Sequence, residues 1–349
     1  MPPSSGFAAH SNISIFVKTT PSSAMDCQRH DADLAPRPKQ QHDYANMKTN
    51  AHRLLSVLAT ALLGAAAVLN TQAQTWQTIL PIPEFAPGWS GHALLFDPFS
   101  ANPANPGVFV GCWSDDPLGV GSILHLSPDG TPMVMDTDLD RVYGLGYNPA
   151  AGTLYAVGNR GLTWKVRKSS VGGGPNTWTE DDTFFLSAKT EASARAITTD
   201  SLGNVYVCGV ALPARGNSHW IVRKLPLGGS WTSVVDLAGK SGAVSVARGM
   251  CFYPGRGALP PALFAVGMLD SKWTVLRSQN QGANWQVVDG WSPSKNLAAT
   301  ADEIAYDSYS GNLYVVGFRG DFTTPAGWFA PIDRLDDYRS IAIYLSCIS

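Results

Sequence analysis

Five segments of this chain end an apolar, strand-like run on glycine: "GVFVG" at Gly111, "TLYAVG" at Gly158, "NVYVCG" at Gly209, "ALFAVG" at Gly267 and "NLYVVG" at Gly317. The glycines are spaced by 47, 51, 58 and 50 residues. A period near fifty constrains the fold more than any other feature here. Each unit must repeat one supersecondary motif and bury its apolar face against the next.

The units share more than the glycine. After it comes a loop and a third alternating run: "SILHLS" at 122–127, "TWKVRKS" at 163–169, "HWIVRKL" at 219–225 and "KWTVLRS" at 272–278. A fourth follows: "PMVMD" at 132–136, "TWTED" at 177–181, "WTSVVD" at 231–236 and "WQVVD" at 285–289. Before each glycine run lies a first one: "HALLFD", "YGLGYN", "RAITTD", "RGMCFY" and "DEIAYD". Alternation with period two predicts strands with one wet face. The 34 glycines and 24 prolines supply the turns. Four short antiparallel strands per unit make a propeller blade, so the expected fold is an all-β β-propeller of about five four-stranded blades. Trp164, Trp220 and Trp273 fall at matched positions and are expected to pack between neighbouring blades.

The fifth unit has clear first and second strands, but "GWFAPIDRL" at 327–335 is a poor third and no fourth follows. "TWQTILP" at 75–81 has the form of a fourth strand with no blade before it. Placed in the last blade, this N-terminal strand would close the ring and remove two exposed sheet edges. The propeller domain is then expected over 74–335, and residues 336–349 fit no slot.

Ahead of it, 47–73 reads as a secretory signal peptide: Lys48, His52 and Arg53, an apolar run from Leu54 to Leu69, and small residues around Ala73. The run is too short to span a membrane. Polar, proline-rich residues 1–46 are expected to be a mis-assigned or disordered extension. Cleavage leaves Cys112, Cys208, Cys251 and Cys347. Export permits disulfides, but three of the four lie in apolar strands, where buried free thiols are expected. The expected location is secreted, periplasmic or cell-envelope.

"AITTDSLGNVYVCG" and "EIAYDSYSGNLYVVGFRGDFTTPAGWF" resemble the bacterial SBBP-type propeller repeat, D-x-x-G-N-x-Y-V-x-G followed by D-F-x-T-T-x-G. Asp200, Gly203, Asn204, Tyr206 and Gly209 match it, as do Asp307, Gly311, Asn312, Tyr314 and Gly317. Asp321, Phe322, Thr323, Thr324 and Gly327 match its extension. "SQNQGANW" at 278–285 resembles the Asp-box (BNR) turn of sialidase-like propellers, with Asn280 in place of the aspartate. That resemblance implies a structural hairpin away from any active site.

Propellers bind ligands where the innermost strands begin. Aligned on the Asp or Asn that ends them, the first strands place His92, Tyr143, Arg195, Arg248 and Asp302 at one equivalent position, with Glu303 and Arg141 nearby. Two arginines can hold a carboxylate or sulfate bidentately. Three outcomes follow from such a ring. It can bind a ligand, with carbohydrate or a cell-surface protein as partner. It can catalyse, with Asp302 and Tyr143 as acid, base or nucleophile in a sialidase-like glycoside hydrolase or lyase. Or it can satisfy itself as ion pairs in a purely structural envelope protein. The leading expectation is a non-catalytic, monomeric binding module without cofactor or metal. A formal charge of −2 lacks the basic stripe a nucleic acid requires. "TEDD" at 179–182 reads as a solvated turn rather than a Ca²⁺ site, and the glycine-rich turns lack the context of a phosphate loop.

Overall fold

The computed structural model describes residues 89–102, 106–114, 121–292, 298–309 and 311–320. Every regular element among them is a β-strand, and every pairing is antiparallel. β1 (Trp89–Phe96), β2 (Val108–Ser114), β3 (Ser122–Leu126) and β4 (Pro132–Asp136) form the first meander. β5 (Arg141–Asn148), β6 (Thr153–Arg160), β7 (Thr163–Ser169) and β8 (Thr179–Phe184) form the second. β9 (Ala192–Thr199), β10 (Val205–Ala211), β11 (His219–Leu225) and β12 (Thr232–Ala238) form the third. β13 (Val246–Tyr253), β14 (Ala262–Leu269), β15 (Lys272–Ser278) and β16 (Gln286–Trp291) form the fourth. β17 (Ala298–Tyr306) pairs with β18 (Leu313–Gly320) to begin a fifth.

Four-stranded meanders whose first strands adjoin are the blades of a β-propeller. β1 lies beside β5, β5 beside β9, β9 beside β13, and β13 beside β17. The expected third and fourth strands of the last unit, the strand at 75–81, the signal peptide, the extension before it and the tail at 336–349 lie outside the described residues.

Burial falls from the second strand outward. β6, β10 and β14 are buried on both faces over most of their length, which is why their sequences read as unbroken apolar runs rather than alternating ones. The fourth strands are largely exposed. Four core clusters each draw on two successive sheets, and a fifth, of Val210, Val246, Met268 and Ala298, draws on three. Trp164 of β7 packs with Ala192, Ala194, Val205 and Val207 of the third sheet. Trp220 packs with Ala247, Met250 and Leu263 of the fourth. Trp273 packs with Ala299, Ala301 and Val315 of the fifth. The matched tryptophans thus sit between blades, as expected.

One expectation needs correcting. Trp178, Trp231 and Trp285 precede the fourth strands instead of opening them. Two of their indoles close the turn and the third reaches the preceding sheet. Trp178 Nε1 donates to the Gly173 carbonyl and Trp285 Nε1 to the Gly282 carbonyl, each at 3.0 Å, while Trp231 Nε1 reaches back to Asp181 at 2.9 Å. In the 278–285 turn, Gly282 N donates to Ser278 Oγ and Asn284 N to Asn280 Oδ1. Asn280 therefore supplies the acceptor oxygen that the turn requires.

Ion pairs bind the sheets laterally. Arg167 of β7 grips Asp136 of the preceding sheet through Nε at 2.9 Å and Nη2 at 3.0 Å. Arg223 of β11 grips Asp182 of β8 in the same way at 2.6 and 2.8 Å. "TEDD" is accordingly part of a strand rather than a solvated turn. Glu180 bonds Lys165, Asp181 meets Lys168 at 2.5 Å and Asp182 meets Arg223. Each of these carboxylates is paired with a cation. Cys112 and Cys208 are buried free thiols and Cys251 is a partly buried one. Burial pushes the Cys112 and Cys251 thiols up to about 11, which leaves them unreactive near neutral pH.

Candidate functional site

The five innermost strands share one irregularity. Pairing between β1 and β2 skips from Gly91 to Ala93 and leaves His92 as the extra residue of a β-bulge. Between β5 and β6 it skips Tyr143; between β9 and β10, Arg195; between β13 and β14, Arg248; between β17 and β18, Asp302. The five positions equated by sequence alignment are thus five bulge residues. A bulge leaves its residue outside the ladder, bends the strand and re-aims the side chain. That is why these positions stand apart from the in-and-out alternation around them.

The repeated glycine follows from the bulge. A Cβ on Gly158 would lie 1.8 Å from the carbonyl oxygen of Arg141; on Gly209, 2.0 Å from that of Ser193; on Gly267, 2.1 Å from that of Val246; and on Gly317, 2.0 Å from that of Thr300. In every case that carbonyl belongs to the residue two before the bulge. The bulged strand swings its backbone against the second strand, and only glycine leaves room. Gly209 and Gly317 carry a second constraint, since their Cβ would also lie 2.6 Å from Trp164 and 2.7 Å from Trp273 of the preceding sheets. Gly111 differs: the obstacle there is the Val142 side chain at 2.5 Å.

The bulge side chains meet in two groups, His92 with Tyr143 and Arg195, and Arg248 with Asp302. The His92 and Tyr143 rings are edge-on with centroids 6.2 Å apart. The Arg195 guanidinium lies 4.1 Å above the Tyr143 ring. Arg248 Nε stands 3.2 Å from Asp302 Oδ1. Residues just outside the bulges join them. Arg141 lies 4.4 Å over the Trp113 ring and its Nη1 donates to Tyr143 Oη at 3.3 Å. Trp113 is edge-on to His92 at 4.3 Å. The bonds of Tyr143 and Asp302 lead in different directions, the first to Arg141 and Arg195, the second to Arg248 and Thr300.

Burial sets the electrostatics. Desolvation holds Arg195 below the usual arginine range; Tyr143 and Glu191 oppose that effect, and Arg248 and Arg141 add to it. Desolvation raises Asp302, offset in part by Arg248. Glu303 is raised by desolvation and further by Asp302, although its carboxylate accepts a hydrogen bond from its neighbour's amide, Ile304 N, at 3.1 Å. Glu191, just before β9, is raised by desolvation against the pull of Arg195 and Arg141. Glu191 and Trp113 are site members that the alignment missed, because both lie outside the first strands. Trp113 could have been found from its place two residues beyond the Gly111 glycine.

No family model matches the chain, and no curated protein matches it by sequence. The chain is similar to solved structures at low identity. A chain assigned provisionally as a gluconolactonase aligns at 15% identity and a TM-score of 0.44, covering 66% of this chain and 72% of that one. A gluconolactonase from Xanthomonas campestris aligns at 15% identity and a TM-score of 0.32, covering 66% and 83%. The Dos1 propeller aligns at 12% identity and a TM-score of 0.43, and this chain spans about half of it, 52%. Likeness this loose carries no argument about ligand or reaction.

Proposed function

We propose that this chain is a secreted or envelope-located binding module that takes a glycan or protein ligand at the mouth of a five-bladed propeller. The observation that supports it most is the recurrence of one bulge in each of five successive innermost strands, presenting His92, Tyr143, Arg195, Arg248 and Asp302. Packing alone needs no such repetition, whereas bulges cluster where a strand must re-aim a side chain. The ring closes, in this reading, when 75–81 completes the last blade. Leu94 and Phe96 support closure: both are apolar and about three-quarters exposed on β1, as an inner strand is before its second neighbour covers it.

One feature favours a hydrolase or lyase instead. Asp302 and Glu303 are held toward their protonated forms, the state a general acid uses. A glycan array and a panel of fluorogenic glycosides separate the two. Binding without turnover, lost in the Arg195→Ala plus Arg248→Ala variant, is the expected result. Turnover that vanishes in Asp302→Ala would overturn it in favour of the enzyme. Intact binding in the double-arginine variant would remove the ring as the site.

A further inference from the structure

Donors at the bulge ring outnumber the acceptors that reach them. Trp113 Nε1, Arg195 Nε and Arg248 Nε are each buried without a hydrogen-bond partner among the described residues. Arg248 Nε has Asp302 within ion-pair distance but not in hydrogen-bonding alignment. A buried N–H left unpaired forfeits the hydrogen bond water would have given it. All three orphans are donors, and all three belong to residues that are bulged or pack against a bulge.

The geometry says which donors remain free. Arg195 Cζ lies 4.1 Å from the Tyr143 ring centroid, and its Nε N–H is left for an acceptor. Arg141 is placed alike over Trp113. Among the described residues, Arg248 has a carboxylate within ion-pair distance, and Arg141 and Arg195 have none.

Resting on the binding reading above, we infer that the group recognised at this ring is an oxoanion, a carboxylate or a sulfate, held by Arg195 together with Arg141 and Arg248. Burial makes the site receptive. It disfavours the Arg195 cation, which Arg248 and Arg141 also repel, and an incoming anion relieves both effects. Among the described residues the one carboxylate within ion-pair distance of these three arginines is Asp302, on Arg248, which leaves Arg141 and Arg195 for the ligand. The exposed His92 ring and the partly exposed Tyr143 ring suit an anion carried on a ring-shaped body, such as a uronic acid or a sulfated sugar.

The test is calorimetric titration of the whole secreted chain at low salt with glucuronate, inorganic sulfate and neutral glucose. The expected result is binding of at least one anion at millimolar concentration, none of glucose, and weakening by added salt. Glucuronate above sulfate would identify a sugar carboxylate as the source, and the reverse order a sulfate. Arg195→Gln should lower anion affinity at least about tenfold. Arg195→Lys, which keeps the charge but not the fork, should recover only part of it, and Lys240→Gln on the surface should change nothing. Thermal unfolding of each variant confirms that it is folded. Glucose binding as well as glucuronate, with the loss confined to Tyr143→Ala, would overturn the oxoanion while leaving a binding module. Neither anion binding, or both binding Arg195→Gln undiminished, would overturn the inference outright, and the glycan array then decides whether any binding module remains.

Discussion

Gly158 and Gly267 sit where a methyl group would meet a backbone carbonyl at 1.8 and 2.1 Å. No rotamer relieves that clash, so the bulged strand itself must move. Gly158→Ala and Gly267→Ala are each expected to cost about 2–4 kcal/mol, within the range of overpacking with backbone strain. Gly290→Ala, whose new methyl would find its nearest neighbour at 3.7 Å, should be close to neutral; urea denaturation of the three variants checks this. The glycines were plain in the sequence because they recur. Their reason was not, since a carbonyl two residues before a bulge on the neighbouring strand leaves no mark in composition. A second prediction concerns Glu303. Desolvation raises its pKa above the unfolded value, so its contribution to stability is present below that value and lost as pH rises through the folded pKa. Glu303→Gln removes the dependence. The variant should match the parent near about pH 4 and gain on it steadily toward neutrality, a trend read from urea midpoints across that window. Parallel curves would refute it.

At the scale of the strand, the sheets are joined by a position that varies in an instructive way. Arg167, Arg223 and Leu276 face Ala156, Val207 and Ala265, each two residues before a recurring glycine. Two of the three sheets use an arginine to hold the preceding sheet's aspartate, and the third uses a buried leucine. Removing one partner of a buried pair strands the other charge, so Arg223→Met should destabilise by about 3–5 kcal/mol. Replacing both, Arg223→Met with Asp182→Leu, should recover most of that loss, since Leu276 already performs the task in the fourth sheet. A double-mutant cycle in urea measures both terms. Third strands were readable to the residue at 163–169, 219–225 and 272–278, because alternation and a leading tryptophan bracket them. The fourth strand at 132–136 was readable to the residue, whereas the other three begin one or two residues later than read, since an indole that precedes a strand looks in sequence like one that opens it. The bulges were invisible as bulges. Aligning each inner strand from the residue that ends its run, Asp97, Asn148, Asp200, Tyr253 and Asp307, nonetheless equated the five extra residues, because every bulge lies five residues before that end.

At the scale of the molecule, a fifty-residue period was enough to predict successive antiparallel meanders, and β1, β5, β9, β13 and β17 do adjoin in that order. The period says nothing about which groups line the centre, and so Trp113 and Glu191 were found only when strands met in space. Closure makes its own prediction. If 75–81 completes the last blade, Trp76→Glu should lower the unfolding midpoint and expose Leu94 and Phe96 to dye binding, whereas a Trp76 that packs nowhere would tolerate the change. The central claim, that five bulged side chains surround one site, is tested most directly by a crystal structure of the chain grown with glucuronate. β17 should then lie beside β1, with the carboxylate seated on the Arg195 guanidinium between the bulges. β1 and β17 at opposite ends of a linear stack, or glucuronate bound away from every bulge, would contradict it.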